Sequence, residues 1–326
     1  MRRRRAPKTG DELSEIGFGA WPIGGEWGDV DEATALRTLR AAVEAGANFF
    51  DTADVYGDGR SERLLARLRR EVGDDLVIAT KVGRRAPLEA GSYTAERLEE
   101  WVDRSRLNLE QETLDLVQLH TLPTATYYDP SVFQALDDLV AGGKIRAYGV
   151  SVERVEEGLK ALEWPNVASV QIIFNVFRQR PAELFLPRAA DAAVAVVVRV
   201  PLASGLLTGK FRRESEFGAD DHRRFNRHGE AFDVGETFGG VPFEEGLEAV
   251  EELRRYVPAG TTMAQLALRW ILMFDEVTTV IPGAKTPEQA RENAAAADLP
   301  PLDDATMDAL STLYRDRVAA WVHQRW

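Results

Sequence analysis

The chain has 326 residues, 44% of them hydrophobic, with 40 Lys and Arg against 53 Asp and Glu for a formal charge of −13. It contains no cysteine, which excludes a disulfide framework, a thiol nucleophile, an iron–sulfur cluster and a thiolate zinc site; its four histidines, His120, His222, His228 and His323, are too scattered for a helical metal pair. The acidic balance argues against a nucleic-acid footprint, and no apolar run approaches the roughly 18 residues of a spanning helix.

Four arginines at residues 2–5 open the chain and are followed by APKTGDELSE rather than an apolar stretch. Residues 1–12 are therefore expected to be a flexible basic tail, not a secretory signal, ahead of one folded, cytoplasmic unit over 13–326. Short runs rich in Val, Ile and Phe predict eight strands: IGFGAW (16–21), NFFD (48–51), LVIATK (76–81), LDLVQLH (114–120), IRAYGVS (145–151), SVQIIFN (169–175), VAVVVRV (194–200) and TTVIPG (278–283). Helical periodicity fills the intervals, at 33–46, 61–73, 94–109, 131–143, 153–164, 181–191, 243–256 with 263–274, and 287–297. Capping residues such as Thr94 and Ser131 start several of these segments, and Gly46, Gly73 or Gly142 stops others.

Near-continuous apolar strands alternating with helices imply a parallel sheet covered on both faces. Eight such units, without G-x-G-x-x-G after the first strand, favour a single (β/α)8 TIM barrel over two Rossmann halves. The longest connection is the loop 201–242 after the seventh strand. Its Lys210, Arg212, Arg213, Arg223, Arg224 and Arg227 suit a phosphate-bearing ligand, while Glu214, Glu216, Asp220 and Asp221 allow a plainly solvated loop instead.

In such a barrel the active site lies at the carboxyl ends of the strands. Asp51, Lys81 and His120 close the second, third and fourth strands after strongly apolar stretches, where an unpaired charge would be costly. Five residues past Asp51, Tyr56 in DTADVYG can turn back over the same mouth. A lysine near a phenol favours its ionised form, and an acid beside the lysine keeps it charged, so the four together predict a tuned proton donor and acceptor. Singly, each has a plain structural explanation: a rim aromatic, an interior ion pair, a satisfied core histidine.

FFDTADVYGDGRSE, ATKVG, LVQLH, YGVSV, VQIIFN, VPLASGLLTGKF and IPGAKTPEQARENAAA, in this order, resemble the aldo-keto reductase superfamily over most of the chain. The resemblance implies hydride transfer from the nicotinamide of NADPH to the carbonyl carbon of a small aldehyde or ketone. Tyr56 would then be the proton donor, Lys81 would lower its pKa, Asp51 would hold Lys81, and His120 would orient the carbonyl. It also implies cofactor contacts from Gly19, Ala20, Trp21, Asp51, Ser151 and Gln171, from Pro201, Leu202, Ser204, Gly205 and Lys210 over the pyrophosphate, and from Gly283, Lys285, Gln289, Glu292 and Asn293 at the adenosine end. Asn175 reads better as a structural turn residue. Arg199 stands where many relatives carry an aromatic that stacks on the nicotinamide, and either biases the site toward the reduced cofactor or pairs with an acid. Gln289 replaces an arginine found in some branches, so NADP is expected with NAD kept open, and Lys285 is the candidate for the 2′-phosphate. Two alternatives share the same residues: a dehydrogenase oxidising a sugar or polyol, and a nucleotide-sensing regulatory subunit. Trp21, Tyr127, Tyr128, Phe225, Phe232 and Phe238 are candidate pocket walls; no metal, nucleic-acid or membrane partner is expected, and the substrate and oligomeric state are not legible.

Overall fold

The computed structural model describes residues 1–326 except 26, 27, 29, 74 and 90. The arginine run is not a loose tail. β1 (Arg3–Arg5) pairs antiparallel with β2 (Glu12–Ser14), setting Arg4 opposite Leu13. Arg4 donates to Glu15 at 2.8 Å and to the carbonyls of Leu272, Phe274 and Val277 at 2.8, 2.7 and 2.6 Å. The guanidinium thereby adds a donor to the Leu272 and Phe274 carbonyls just past helix Met263–Ile271 and to the Val277 carbonyl three residues on from Phe274.

Eight parallel strands follow: β3 (Phe18–Gly19), β4 (Phe49–Asp51), β5 (Val77–Val82), β6 (Leu116–His120), β7 (Tyr148–Ser151), β8 (Val167–Ile173), β9 (Ala195–Arg199) and β10 (Val277–Val280). Each predicted strand is present; six are shorter than the apolar run that announced them, while β5 and β8 keep its length and are shifted by one residue forward and two back. Neighbours in sequence are neighbours in the sheet, and bridges from Ile16 to Val280 and from Gly19 to Gly283 join the first strand to the last. A Cβ on Gly19 would lie 2.7 Å from the Ile281 carbonyl, so this seam has no room for a side chain. The predicted helices form between the strands, including Glu32–Glu44, Arg60–Val72, Ala95–Leu109 and Pro130–Ala141. Sequence periodicity did not single out helix Asp304–Leu313, which Asp303 caps by accepting from the Thr306 amide.

Period-two alternation sorts the strand residues into barrel interior and helix-facing surface. The interior is apolar at one end, where Phe49, Ala79, Leu116, Ala195 and Val197 meet Ala6 and Leu13 of the hairpin. Two residues further along the same faces come Asp51, Lys81, Gln118 and Arg199, all buried. The hairpin thus plugs one end, and the polar residues collect at the other.

Candidate active site

The floor of the carboxyl-end mouth is an ionic core built from four strands. Lys81 Nζ donates to Asp51 Oδ1 and, at 2.9 Å, to the Thr52 carbonyl. The second Asp51 oxygen accepts from Gln171 Nε2 at 2.8 Å and from Gln118 Nε2 at 3.1 Å. A buried ion pair is tolerated only when its remaining polar atoms are also bonded, and these four side chains meet that condition. The sequence pattern does not single out Gln118. Its signal was its place two residues before His120 on the inward face of β6.

Tyr56 lies on the turn after β4, its ring stacked on Trp21 with centroids 5.8 Å apart and edge-on to His120 at 5.7 Å. Lys81 Nζ is 5.2 Å from the Tyr56 ring centroid. The four expected residues therefore share one mouth. The net electrostatics differ from expectation: burial, then Asp51 and Glu236, hold the Tyr56 phenol well above its ordinary value, while Arg84 and Arg199 pull the other way. With Lys81 neutralised by Asp51, the phenol keeps its proton. Burial, joined by Arg199 and Arg84, lowers Lys81 despite Asp51. His120 is held well below the usual histidine range by burial and by Arg84, Lys81 and Arg199, which makes it a neutral imidazole. Among the described residues, His120 Nδ1 and Ser151 Oγ are buried without a protein partner.

A second ionic layer joins Arg199 to Arg84, Glu153 and Glu236, three residues that the sequence pattern does not single out. Arg84, past the end of β5, donates to Glu236 at 2.6 Å, to Thr121 Oγ1 and to the His120 carbonyl at 3.2 Å. Arg199, at the end of β9, donates to Glu153 at 2.7 Å and to the Val152 carbonyl at 3.2 Å, with Glu236 Oε2 3.7 Å away. Arg199 thus pairs with acids, one of the two roles the sequence left open for it. Burial pushes Glu153 up to about 8, whereas Arg84 and Arg199 overcome burial and hold Glu236 down at about 2.

A cavity of about 310 Å³ runs from Tyr56 and His120 past Trp21 to Lys285 and Asn293. Its lining includes Gly19, Asp51, Lys81, Ser151, Gln171, Arg199, Pro201, Leu202, Ser204, Gly205, Lys210, Gly283, Gln289 and Glu292. Ala20 is the exception among the expected cofactor residues: it is fully buried behind the cavity, its amide donating to the Asp51 carbonyl at 2.8 Å. The candidate walls fare less well. Only Trp21 lines the cavity; Tyr127 is buried and bonded to the Ser151 carbonyl, Tyr128 is exposed, and Phe238 packs under the loop on Phe243. Asn175 is structural, accepting from Phe177 N at 2.8 Å and donating to Val200 O at 2.9 Å. Of the loop cations only Lys210 and Arg223 reach the cavity, and Arg213 pairs with Glu248 outside it.

The loop enters through backbone in the left-handed region at Val200 (φ 51°), Ala203 (φ 47°) and Ser204 (φ 53°). Such conformations are costly for residues with a Cβ, above all a β-branched one, and collect where function fixes the backbone. At the far end, Thr286 caps helix Pro287–Ala295 by accepting from Gln289 N, and Gln289 Oε1 accepts from Lys285 N at 2.8 Å. Burial and the nearby Arg223 lower Lys285, so an anion placed there would favour its charged form.

The chain belongs to the Aldo/keto reductase family, whose model matches residues 15–315. It is 33% identical over 289 residues to Aldo-keto reductase YhdN of Bacillus subtilis, covering 86% of this chain and 84% of that one. It is 28% identical over 322 residues to an Arabidopsis thaliana protein named "Probable voltage-gated potassium channel subunit beta", covering 93% of each. Among solved structures, the glycerol dehydrogenase AKR11B4 of Gluconobacter oxydans superposes with a TM-score of 0.78 at 30% identity, covering 97% of this chain and 95% of that one. Among the described residues no helix is long and apolar enough to cross a membrane.

Proposed function

We propose that this protein is an NADPH-dependent carbonyl reductase in which Tyr56 gives a proton to the oxygen of an aldehyde or ketone. The observation that carries the reading is the convergence of Tyr56, Lys81, Asp51 and His120 on one end of a cavity whose other end holds Lys285 and a capped helix N-terminus. The buried, unpartnered Ser151 Oγ between them fits a nicotinamide carboxamide, with the Gln171 oxygen as a second contact, because the Gln171 nitrogen is committed to Asp51. Lys285, with Arg223 nearby, suits the 2′-phosphate, and the amides opening helix Pro287–Ala295 suit an anion.

The bound nicotinamide supplies the hydride. The chain's own residues do the rest. Neutral His120 presents a nitrogen to the carbonyl oxygen and fixes the face offered for attack. Tyr56 holds its proton until charge develops on that oxygen, which lowers the cost of giving it up. Arg84, Arg199 and Lys81 then stabilise the phenolate, so the cations matter most after the proton has moved. In reverse, the phenolate accepts the proton of an alcohol.

A panel of aldehydes, ketones and polyols assayed with NADPH, NADH and their oxidised forms tests this reading. NADPH-linked aldehyde reduction that falls at least tenfold in favour of NADH in Lys285→Met supports it. Oxidation of a polyol alone favours the direction suggested by the glycerol dehydrogenase likeness. Cofactor binding without turnover of any substrate favours a regulatory role like that named for the channel-subunit relative.

A further inference from the structure

We propose that Trp326 is a positioning residue of the carbonyl site: its indole clasps the turn over residues 233–240 and holds Glu236 against Arg84 and Arg199, which makes the pocket select against carbonyl compounds that carry a carboxylate. The inference rests on the carbonyl-reductase reading for its substrate and on geometry alone for the clasp.

Trp326 lies 93 residues from the turn yet is 5% exposed, and its Nε1 donates to Asp233 Oδ1 at 2.9 Å. The same oxygen accepts from Gly235 N at 2.7 Å, so one atom fixes both the turn and the indole. The Arg178 guanidinium sits 4.3 Å from the ring centroid and donates to the Gly239 carbonyl at 3.2 Å, tying the ring to the far end of the turn. A Cβ on Gly240 would lie 2.6 Å from the indole, and Gly240 has a φ of 84°, so this close approach requires glycine.

Glu236 follows Gly235 directly, lines the cavity and meets Arg84 at 2.6 Å, whose Nε in turn holds the His120 carbonyl. The carboxylate of Glu236 therefore fills the place beside two arginines that an acidic substrate would need. Loosening the turn withdraws that carboxylate and leaves Arg84, together with the Arg199 nitrogen that Glu153 does not hold, to an outside anion, which is how a side chain remote from the chemistry would set specificity.

The test compares the full-length parent, Trp326→Phe and Trp326→Ala. Trp326→Phe keeps a ring against Arg178 and Gly240 and removes only the donor, so it carries the test if Trp326→Ala does not fold. Hydrogen exchange of the amides of 233–240 should quicken about tenfold in Trp326→Phe, with the barrel strands unchanged, as expected for the loss of one hydrogen bond to a charged acceptor. The ratio of kcat/KM for benzaldehyde to that for 4-carboxybenzaldehyde should fall about fivefold or more, with Glu236→Gln lowering it likewise and mainly through KM of the acid. Unchanged exchange in 233–240 overturns the clasp, and quickened exchange with an unchanged ratio overturns the link to specificity. If the parent reduces neither aldehyde, the carbonyl-reductase reading fails with the specificity claim, and the exchange result alone decides the clasp.

Discussion

Lys81→Met isolates the ionic core. It removes the cation bonded to Asp51 and leaves a 3% exposed carboxylate with two amide donors, Gln118 and Gln171. Removing one partner of a buried pair costs about 3–5 kcal/mol, because the surviving charge stays buried without compensation. Replacing both groups, as in Asp51→Asn with Lys81→Met, leaves neutral polar groups that Gln118 and Gln171 still accommodate. The double variant should recover roughly 2–3 kcal/mol relative to the sum of the single losses. Urea denaturation of the parent and three variants, followed by far-UV circular dichroism, gives the coupling directly. Additivity within about 0.5 kcal/mol would refute the claim that Asp51 and Lys81 satisfy one another. Turnover should fall about a hundredfold or more in both variants that lack Lys81, since the ammonium that steadies the developing phenolate is gone.

Asp54, fully buried two residues before Tyr56 in sequence, is pushed up to about 7 by burial and by Glu62, despite Arg85 and Arg104. Its folded-state value lies above that of an ordinary aspartate, so its contribution favours the fold at low pH and fades as pH rises from about 4 to 7. Asp54→Asn should therefore gain stability over the parent across that window, by at most about 4 kcal/mol from the distance between 3.8 and about 7; denaturant melts at pH 4.5 and 8 check it, and a constant difference contradicts it. Gly19→Ala should destabilise the fold by about 1–3 kcal/mol and raise the KM for cofactor, because the added methyl pushes the closing seam apart; unchanged melts would show that the seam relaxes freely. For Arg199→Tyr, the ionised Glu236 and the Glu153 carboxyl around the guanidinium predict that the ratio of oxidised to reduced cofactor dissociation constants changes by less than about threefold. A tenfold change, read by fluorescence titration, would show that Arg199 acts as an uncompensated charge, as its position in the sequence first implied.

The barrel was legible because strands buried on both faces must be apolar throughout, and runs such as LVIATK and VAVVVRV leave little else to form. Asp51, Lys81 and His120 were legible for the complementary reason: ionisable groups ending such runs need a shared purpose. Contacts that depend on distant pairing were not. Arg84 meets Glu236 across 152 residues, and nothing local distinguishes either from a surface charge. Arg4 looked like one arginine of a solvated run until its hairpin aimed it at the carbonyls below β10. Ala20, at the cap of the short helix Trp21–Gly24, sits inside a segment whose neighbours face the cavity but is itself fully buried; Tyr127 and Tyr128, in the helical turn Thr124–Tyr128, face the core and solvent. Sequence position located these residues, and the local turn of the backbone decided what they touch.

The central claim is that the Tyr56 hydroxyl moves the proton. Tyr56→Phe removes that oxygen and keeps the ring that Trp21 and His120 contact. The account predicts that NADPH-linked reduction of an aldehyde falls at least a hundredfold in kcat while the dissociation constant for NADPH stays within about twofold. Retention of most of the parent's kcat in Tyr56→Phe would contradict it.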